Sequence, residues 1–363
     1  MVKHLKKALR LSGDIKITIF LLLKLFFLIL FATFAQVDIG IFEANKKYFT
    51  SWFIYLNQFP IFFGGYLIGL LLLINLLSSH TTRFRLRKNY AGIFLIHFGL
   101  VLLIIGSGLT SFFAEEMQIS ILEGETKNYV EYPSQFEMVF IDQSKPSVDS
   151  IYPIDFSELK KGVIFQSATI KVLSFAPNSI INQRGIENPK FNQLGQSFKL
   201  ISMPKTYKMD ERNIPGMTLS FTYGNQTDYF LLWGGSAIYQ TVSIGNQDFL
   251  MKLRPKRKYL DFNIFLSDFS RVTYRQSETA QSFLSKVKLI TKSGEVPFDI
   301  QMNEPLRYSG YTFFQSSFTD DEKTSVFQVV KNPSWLIPYI SSFVIIIGLF
   351  VQMISSMKRG RSS

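Results

Sequence analysis

The chain has 363 residues, of which 47% are apolar and none is cysteine, and its formal net charge is +12. Its length exceeds one average domain and fits two or three regions. Much of the basic charge lies in short segments beside long apolar runs. No zinc-finger spacing or RRM-type aromatic pattern is present, which argues against nucleic-acid binding. The lack of cysteine excludes disulfides, thiolate metal sites and thiol chemistry.

Four runs are long and apolar enough to cross a membrane as helices, for which about 20 residues are needed. In chain order they are Ile17–Ala35, Ile61–Leu77, Ala91–Phe113 and Trp335–Ile354. The first run contains Lys24, and no clear small-residue cleavage pattern follows it. We therefore expect it to be a spanning helix rather than a cleaved signal peptide.

Basic residues collect in three short segments that flank these runs, and basic flanks stay on the cytoplasmic side of a membrane. The residues are Lys3, Lys6, Lys7, Arg10 and Lys16, then Arg83, Arg85, Arg87 and Lys88, then Lys358, Arg359 and Arg361. The segment 36–60 has only Lys46 and Lys47, which Asp38 and Glu43 offset. The pattern predicts a multi-pass protein of the inner (cytoplasmic) membrane with both termini cytoplasmic.

This topology divides the chain into a tail with three helices (1–113), an extracytoplasmic domain (114–334) and a fourth helix with a cytoplasmic tail (335–363). Seven segments of the domain have alternating or β-branched patterns typical of strands. They begin at Phe136, Ala168, Met217, Tyr229, Phe262, Ser285 and Ser325. Glycine-containing turns separate them. The fold class expected is therefore four transmembrane α-helices plus a large β-rich domain, a sandwich or partly open barrel that could be built as two β-units.

Histidine is scarce, with only His4, His80 and His97 in the chain. His97 lies inside the third apolar run, where an ionisable side chain is costly and indicates a functional site. It could ligate haem iron as a neutral imidazole or form a helix–helix hydrogen bond, and the residues alone leave both open. For His80, just past the second predicted helix, a structural role at the membrane interface is the favoured interpretation, and His4 is expected to be solvated.

The remaining candidate residues are better explained by structural roles than by ligand binding. For Lys24, snorkelling or a salt bridge is favoured over a ligand-binding role. Gly99, Gly106 and Gly108 permit close approach of another helix or a flat ligand, and helix packing is the commoner reason for such glycines. The segment 114–334 has no histidine and no cysteine, which excludes Ser-His-Asp and Cys-His nucleophiles and typical zinc sites there.

A short pattern lies near the end of this domain, Asn-x-Pro-Leu…Gly…Tyr/Phe-Gln-Ser, formed by Asn303, Pro305, Leu306, Gly310, Phe314, Gln315 and Ser316. This pattern resembles the signature of the ResB (CcsB) family of system II cytochrome c biogenesis proteins. Three helices, a large domain and a closing fourth helix also match the family layout. For these residues a role in the fold is favoured over contact with a ligand, through a turn at Asn303 and Pro305, another at Gly310 and an aromatic strand at 311–318.

The resemblance implies a subunit of a membrane haem-delivery and cytochrome c synthetase complex, inactive as an enzyme alone. Its implied partners are a ResC/CcsA-type multi-span haem-handling protein, apocytochrome c and a thioredoxin-like thiol reductase pathway. The implied cofactor is haem b, held transiently and shared with the partner. The family's transmembrane histidine, proposed to ligate haem iron, corresponds to His97.

The chain also departs from the family machinery. Trp52, Trp233 and Trp335 are isolated, so no tryptophan-rich haem-binding motif is present, and the second haem ligand is expected from the partner. The alternative function is a membrane-anchored scaffold or permease subunit without a haem role. The order of segments argues against a permease, because such proteins usually place one helix before the domain and three after it.

Overall fold

The computed structural model describes residues 2–82, 90–142, 144, 150–206, 213–273, 280–319 and 323–360. The basic residues between Arg83 and Lys88, and Arg361, lie outside the described residues. The chain forms two compact units. One, the helical unit, contains residues up to Glu115 and from Lys331 onward, and the other, the β-unit, contains most of 116–330.

In the parts of the helical unit that the structure describes there are five α-helices. They are α1 (Val2–Ser12), α2 (Ile15–Ala44), α3 (Gly65–Thr82), α4 (Ala91–Phe113) and α7 (Ile337–Gly360). In the part of the chain that the structure describes, four helices, α2, α3, α4 and α7, are long and apolar enough to span a membrane. The four expected spans are therefore confirmed, and the bounds predicted for the third agree with α4.

The bounds predicted for the second span are wrong at both ends. Ile61 lies in a β-hairpin, β1 (Phe53–Leu56) and β2 (Phe59–Phe63), and α3 begins only at Gly65. The turn residues Asn57 and Gln58 have φ values of 47° and 72°, which suits a two-residue hairpin turn. An apolar run after a proline fits a short strand as well as a helix start, because periodicity does not separate them over so few residues.

Within the described residues, the β-unit has sixteen strands and two short helices. These are β3 (Glu115–Leu122), β4 (Thr126–Asp142), β5 (Ser150–Asp155), α5 (Phe156–Leu159), β6 (Val163–Phe165), β7 (Ala168–Ala176), β8 (Ser179–Gln183), α6 (Leu194–Ser197), β9 (Phe198–Ser202), β10 (Gly216–Tyr223), β11 (Gln226–Trp233), β12 (Gln240–Ile244), β13 (Gln247–Thr273), β14 (Ala280–Thr291), β15 (Gly294–Gln301), β16 (Leu306–Tyr308), β17 (Tyr311–Phe318) and β18 (Thr324–Lys331). Each of the seven predicted strand segments lies in one of these strands.

Ten of these strands form one large sheet. Eight run in the order β15-β14-β13-β4-β3-β18-β17-β16, while β12 pairs with β13 and β5 with β4. All eight contribute side chains to a single core that includes Ile121, Val130, Phe313 and Phe327, and the end strands β15 and β16 contact each other. This part is a nearly closed barrel, and its core is called the barrel core below.

A second core lies between the remaining part of the large sheet and a four-stranded sheet, β11-β10-β7-β6. It includes Phe140, Leu219, Phe230 and Phe249, and is called the sandwich core. The long strands β4 and β13 pair with each other and contribute to both cores. The predicted β-rich domain is confirmed, and its barrel and sandwich parts are joined through these two strands.

The signature residues build the barrel. Ser309 and Gly310, with φ values of 50° and 79°, form the turn between β16 and β17. Leu306 is buried in the barrel core. Gln315 accepts a hydrogen bond from Ser285 Oγ at 2.7 Å and donates one to Ser325 Oγ at 3.0 Å, which links β17 to β14 and β18. These residues therefore contribute a turn, a buried side chain and hydrogen bonds between strands to the structure of the barrel.

A cleft of about 300 Å³ lies where β4 and β13 pass from one core to the other. Its lining includes the ion-paired Glu137 and Arg254, together with Arg257 and Tyr259. Arg257 donates to Glu131 at 2.9 Å, and its guanidinium lies 3.9 Å from the ring centroid of Tyr129. Burial raises the pKa of the Tyr129 hydroxyl, and the positive charge of Arg257 opposes this rise.

The ammonium of Lys252, on β13, is held in an unfavourable environment, since burial and the charges of Arg257 and Arg254 lower its pKa. The unfolded chain therefore binds more protons, and stability rises with pH between the lowered pKa and the ordinary value of 10.5. We expect Lys252→Met to stabilise the β-unit at neutral pH. The gain should shrink as the pH approaches the ordinary value, measured by denaturant unfolding across pH. A gain that is constant with pH, or equal to that of the exposed Lys171→Met, would contradict this explanation.

Candidate functional site

The candidate site is a pair of histidines on two membrane helices. His97 lies on α4, six residues after its first residue Ala91, which is about 9 Å along the axis. Its Nδ1 lies 2.8 Å from Nε2 of His80, and the two ring planes are 83° apart. Both rings are half-buried. The structure thus joins two residues that lie 17 positions apart.

His80 is inside α3, two residues before its end, and not past the second helix as the sequence analysis had it. Its ring also meets the edge of Phe94, with ring centroids 5.6 Å apart. The signal that could have revealed the pair is the occurrence of a histidine on each of two neighbouring spans. Two polar rings in adjacent apolar helices tend to satisfy each other, since no water is available in the hydrocarbon.

The pair is positioned by the antiparallel packing of α3 and α4. At the other end of these helices the Tyr66 hydroxyl lies 2.6 Å from Ser111 Oγ, and Tyr66 stacks on Phe112. The two polar contacts lie fourteen residues apart on each helix, or about 21 Å. The register of the helices therefore stays constant from one contact to the next, which brings His80 opposite His97.

A different face of α4 packs against α7. A Cβ atom on Gly92, Gly99 or Gly106 would lie 2.5–2.6 Å from an atom of α7. These glycines recur every seven residues, which places them on one helix face. Gly99 and Gly106 thus serve helix packing, whereas a Cβ on Gly108 would meet nothing within 4 Å. His97 is two residues from Gly99, on the side of α4 that α3 occupies.

Two further polar groups in the spans have structural partners. Buried Asn75 of α3 donates to the backbone oxygens of Ser12 and Asp14 and accepts from Thr18 Oγ1, which fixes the turn between α1 and α2. The ammonium of Lys24 lies 4.4 Å from the ring centroid of Phe62, with the rings of Phe20 and Phe63 within 6 Å. Cation–π contact stabilises a charge that is partly removed from water.

The geometry limits what the histidine pair can do with a metal. His80 and His97 are hydrogen-bonded to each other at 2.8 Å, so the two side chains would not hold one haem iron between them. The bond occupies Nδ1 of His97 and not Nε2. Nε2 is therefore the nitrogen through which His97 would bind a metal, with His80 behind it as a hydrogen-bond partner.

Comparison with known proteins points to one family. The ResB-like family matches residues 235–326, a region that runs from β12 to β18 and contains the whole signature. The chain is also 24% identical over 304 residues to Protein NrfI of Wolinella succinogenes. That alignment covers 81% of this chain but only 30% of NrfI, so the chain spans less than a third of this relative. The resemblance predicted from the signature is confirmed: the chain is similar to the ResB-like family over residues 235–326.

Proposed function

We propose that this protein is the subunit of a membrane haem-handling complex in cytochrome c biogenesis, and that His97 provides an axial ligand to a transiently bound haem b. The observation that carries the proposal is the placement of His97. It lies within a spanning helix and is held by a second histidine through the ring nitrogen that a metal would not use. The similarity to the ResB-like family supports a role in cytochrome c biogenesis, and the histidine pair supports the role of this chain in it.

The residues present fit a haem ligand. Neutral imidazole is a common axial ligand of haem iron, and a ligating histidine almost always donates its other ring N–H to a partner. His97 has such a partner in His80, and its half-buried ring leaves part of its surface accessible from outside the helical unit. When bound, haem would supply the group that is transferred, while this chain supplies one ligand and an apolar helix surface.

The second ligand is expected from a ResC/CcsA-type multi-span partner. The His80–His97 hydrogen bond supports this assignment, because His80 serves as the support of His97 rather than as the opposite ligand. The chain is therefore proposed to be inactive as an enzyme alone. It would contribute half of a ligand set that forms where two membrane proteins meet.

The β-unit is proposed to lie on the extracytoplasmic side and to present apocytochrome c to the complex. It has no cysteine or histidine, so reduction of the apocytochrome thiols would belong to a thioredoxin-like protein. The basic flanks of the spans support an inner-membrane protein with both termini in the cytoplasm. In that orientation the histidine pair lies closer to the cytoplasmic face, where haem would enter.

The test is an absorption spectrum and a haem assay on the chain purified together with its multi-span partner. We expect wild-type complex to contain haem, His97→Ala to lose most of it, and His4→Ala, which changes an exposed histidine of α1, to match wild type. Equal haem in wild type and His97→Ala would place the ligands on the partner. Absence of haem from every intact complex would favour the scaffold alternative.

A further inference from the structure

The chain that joins α2 to α3 has the composition of a membrane segment rather than of a loop in water. From Tyr48 to Thr82 the sequence contains no Asp, Glu, Lys or Arg, and this stretch includes the β1–β2 hairpin. Loops in water are usually polar. The last basic residues before the hairpin are Lys46 and Lys47. The composition of the hairpin therefore suits surroundings from which water is excluded.

The hairpin packs against the middle of α2. Ile54 of β1 is buried in a small cluster with Leu28 of α2, against which Phe62 of β2 also packs. The ring centroid of Phe62 lies 4.4 Å from Lys24 Nζ and 5.9 Å from the ring centroid of Phe31. Lys24 and Phe31 are about 14 and 24 Å along the axis from the first residue of α2. Since the hydrocarbon core of a membrane is about 30 Å thick, this part of the hairpin lies at membrane depth.

The base of the hairpin is fixed to the start of α3. The backbone nitrogen of Gly64 donates to Trp52 O at 2.9 Å, and that of Tyr66 donates to Ser51 O at 3.2 Å. A Cβ on Gly64 would collide with Ser51 O, and the rings of Trp52 and Tyr66 lie 5.8 Å apart. The hairpin is therefore held in a defined direction relative to α3.

The far half of the hairpin is uncovered. Leu56, Phe59 and Ile61 are 61%, 74% and 58% exposed, and no third strand among the described residues pairs with β1 or β2. A two-stranded ribbon leaves the outward N–H and C=O groups of both strands unpaired. Lipid can cover the apolar side chains, but it offers no hydrogen-bonding group to a strand edge. Such an edge is tolerated at membrane depth only where protein or a water-filled cavity covers it.

The turn of the hairpin carries two amide side chains. Asn57 and Gln58 have φ values of 47° and 72°, and both side chains are exposed. The structure gives neither amide group a hydrogen-bond partner among the described residues. Two-residue turns with positive φ at both positions favour Asn followed by Gly. A glutamine at position 58 therefore opposes the local preference, which is typical of residues that serve function rather than the fold.

We propose that the β1–β2 hairpin is the surface through which this chain docks on its multi-span partner. The partner supplies an apolar groove for Leu56 and Phe59, and polar groups for the amides of Asn57 and Gln58 and for a strand edge. Lipid meets only the first requirement and water only the second, whereas a membrane-spanning protein meets both. The inference rests on the proposed function for the existence of this partner, and it adds the place on this chain where the partner binds.

Two substitutions test this surface with little effect on the fold, and each is measured by titration of the labelled partner in detergent. Phe59→Ala removes an exposed ring, and we expect it to lower the affinity for the partner by about 10-fold or more, as for an aromatic anchor at the centre of an interface. Gln58→Gly removes an amide and gives the turn its favoured residue, so it should lower the affinity by a smaller factor while keeping or raising the thermal unfolding midpoint of the chain. The control Phe350→Ala, at a 58% exposed position of α7, should change neither quantity. Wild-type affinity in Phe59→Ala and Gln58→Gly, or an equal loss in Phe350→Ala, would overturn the proposal.

Photo-crosslinking in membranes identifies what covers the hairpin. With the photoreactive residue benzoylphenylalanine in place of Phe59, we expect an adduct with the epitope-tagged partner. An adduct with a second copy of this chain, or no protein adduct at all, would overturn the proposal.

The docking surface and the proposed function can fail separately. If His97→Ala loses haem while Phe59→Ala keeps wild-type affinity for the partner, the docking surface is wrong and the proposed function stands. If the partner adduct forms at position 59 but the haem content does not depend on His97, the docking surface stands and the ligand role fails. If the wild-type chain does not bind a multi-span partner, both are wrong.

Discussion

Replacing Glu137 by leucine is expected to lower the free energy of unfolding of the β-unit by about 3–5 kcal/mol, since it leaves a buried charge without its partner. Arg254 Nε and Nη2 each lie 2.9 Å from Glu137 Oε1. The side chains of Arg254 and Glu137 are only 5% and 4% exposed. The two residues are directly opposite each other on β13 and β4.

The position of this ion pair explains why its loss should destabilise the whole β-unit. It lies next to the bulge between Pro255 and Lys256, where β4 and β13 pass from the sandwich core to the barrel core. Loss of strand pairing there would separate the two cores. The double variant Glu137→Leu/Arg254→Met should be close to wild type in stability, because an apolar pair of similar volume replaces a buried ion pair at little or no cost.

Fluorescence of Trp233, on β11, can report the unfolding of the β-unit when Trp52 and Trp335 are replaced by phenylalanine. The matched control is Asp268→Leu, which breaks the pair between Asp268 and Lys286, about half exposed on both sides. Its effect should be at most about 1 kcal/mol. A Glu137→Leu variant no less stable than this control would show that Arg254 finds another partner or reaches water.

The fold follows from the sequence where the pattern is local. The uninterrupted apolar run Ala91–Phe113 is α4, and alternation along Met217–Tyr223 is a buried strand of the sandwich core. Local pattern fails where two structures share it: the run that begins at Ile61 is apolar enough for a helix throughout, but its first three residues end strand β2 and α3 begins only at Gly65. Strand pairing is not local at all. Nothing in the two sequences predicts that β4 and β13 pair along both cores.

Prediction of the candidate site from the sequence has the same limit, because contacts between distant parts of the chain are not visible in local patterns. His97 could be identified as a candidate functional residue from the sequence alone, because a histidine in a spanning helix is energetically costly and indicates a functional site. The sequence predicted that His80 lies outside the second helix, because the apolar run ends at Leu77. The partner of His80 also lies on another helix. The pairing depends on the antiparallel register of α3 and α4, which the Tyr66–Ser111 contact also reports. Only the three-dimensional arrangement supplies that register.

The second large effect is expected from Gly92→Ala, on the face of α4 that packs against α7. The added Cβ would lie 2.5 Å from the backbone nitrogen of Gln352 and 2.7 Å from its Cα. Backbone atoms of a helix cannot move aside as a side chain can, so the two helices must separate. Gly348 of α7, whose own Cβ would meet Ile96 N at 2.8 Å, shows that both helices approach closely at this level.

Overpacking of this kind costs about 1–3 kcal/mol, and we expect Gly92→Ala to lower the thermal unfolding midpoint of the protein in detergent. Gly108→Ala is the matched control, because it makes the same chemical change in the same helix where a Cβ would meet nothing within 4 Å. Alanine is favoured over glycine in a helix by about 0.5–1 kcal/mol, so Gly108→Ala should be neutral or stabilising. Equal effects of the two changes would show that the α4–α7 distance does not limit stability.

Gly92→Ala also separates the packing of α4 from the function of its other face. The His80–His97 bond joins α4 to α3, not to α7, so the histidine ¹⁵N signals of the pair should persist in Gly92→Ala even as the midpoint falls. If the pair is lost together with the α4–α7 contact, α7 must be what presses α4 against α3. The proposed haem ligand would then depend on the helix that follows the β-unit in the chain.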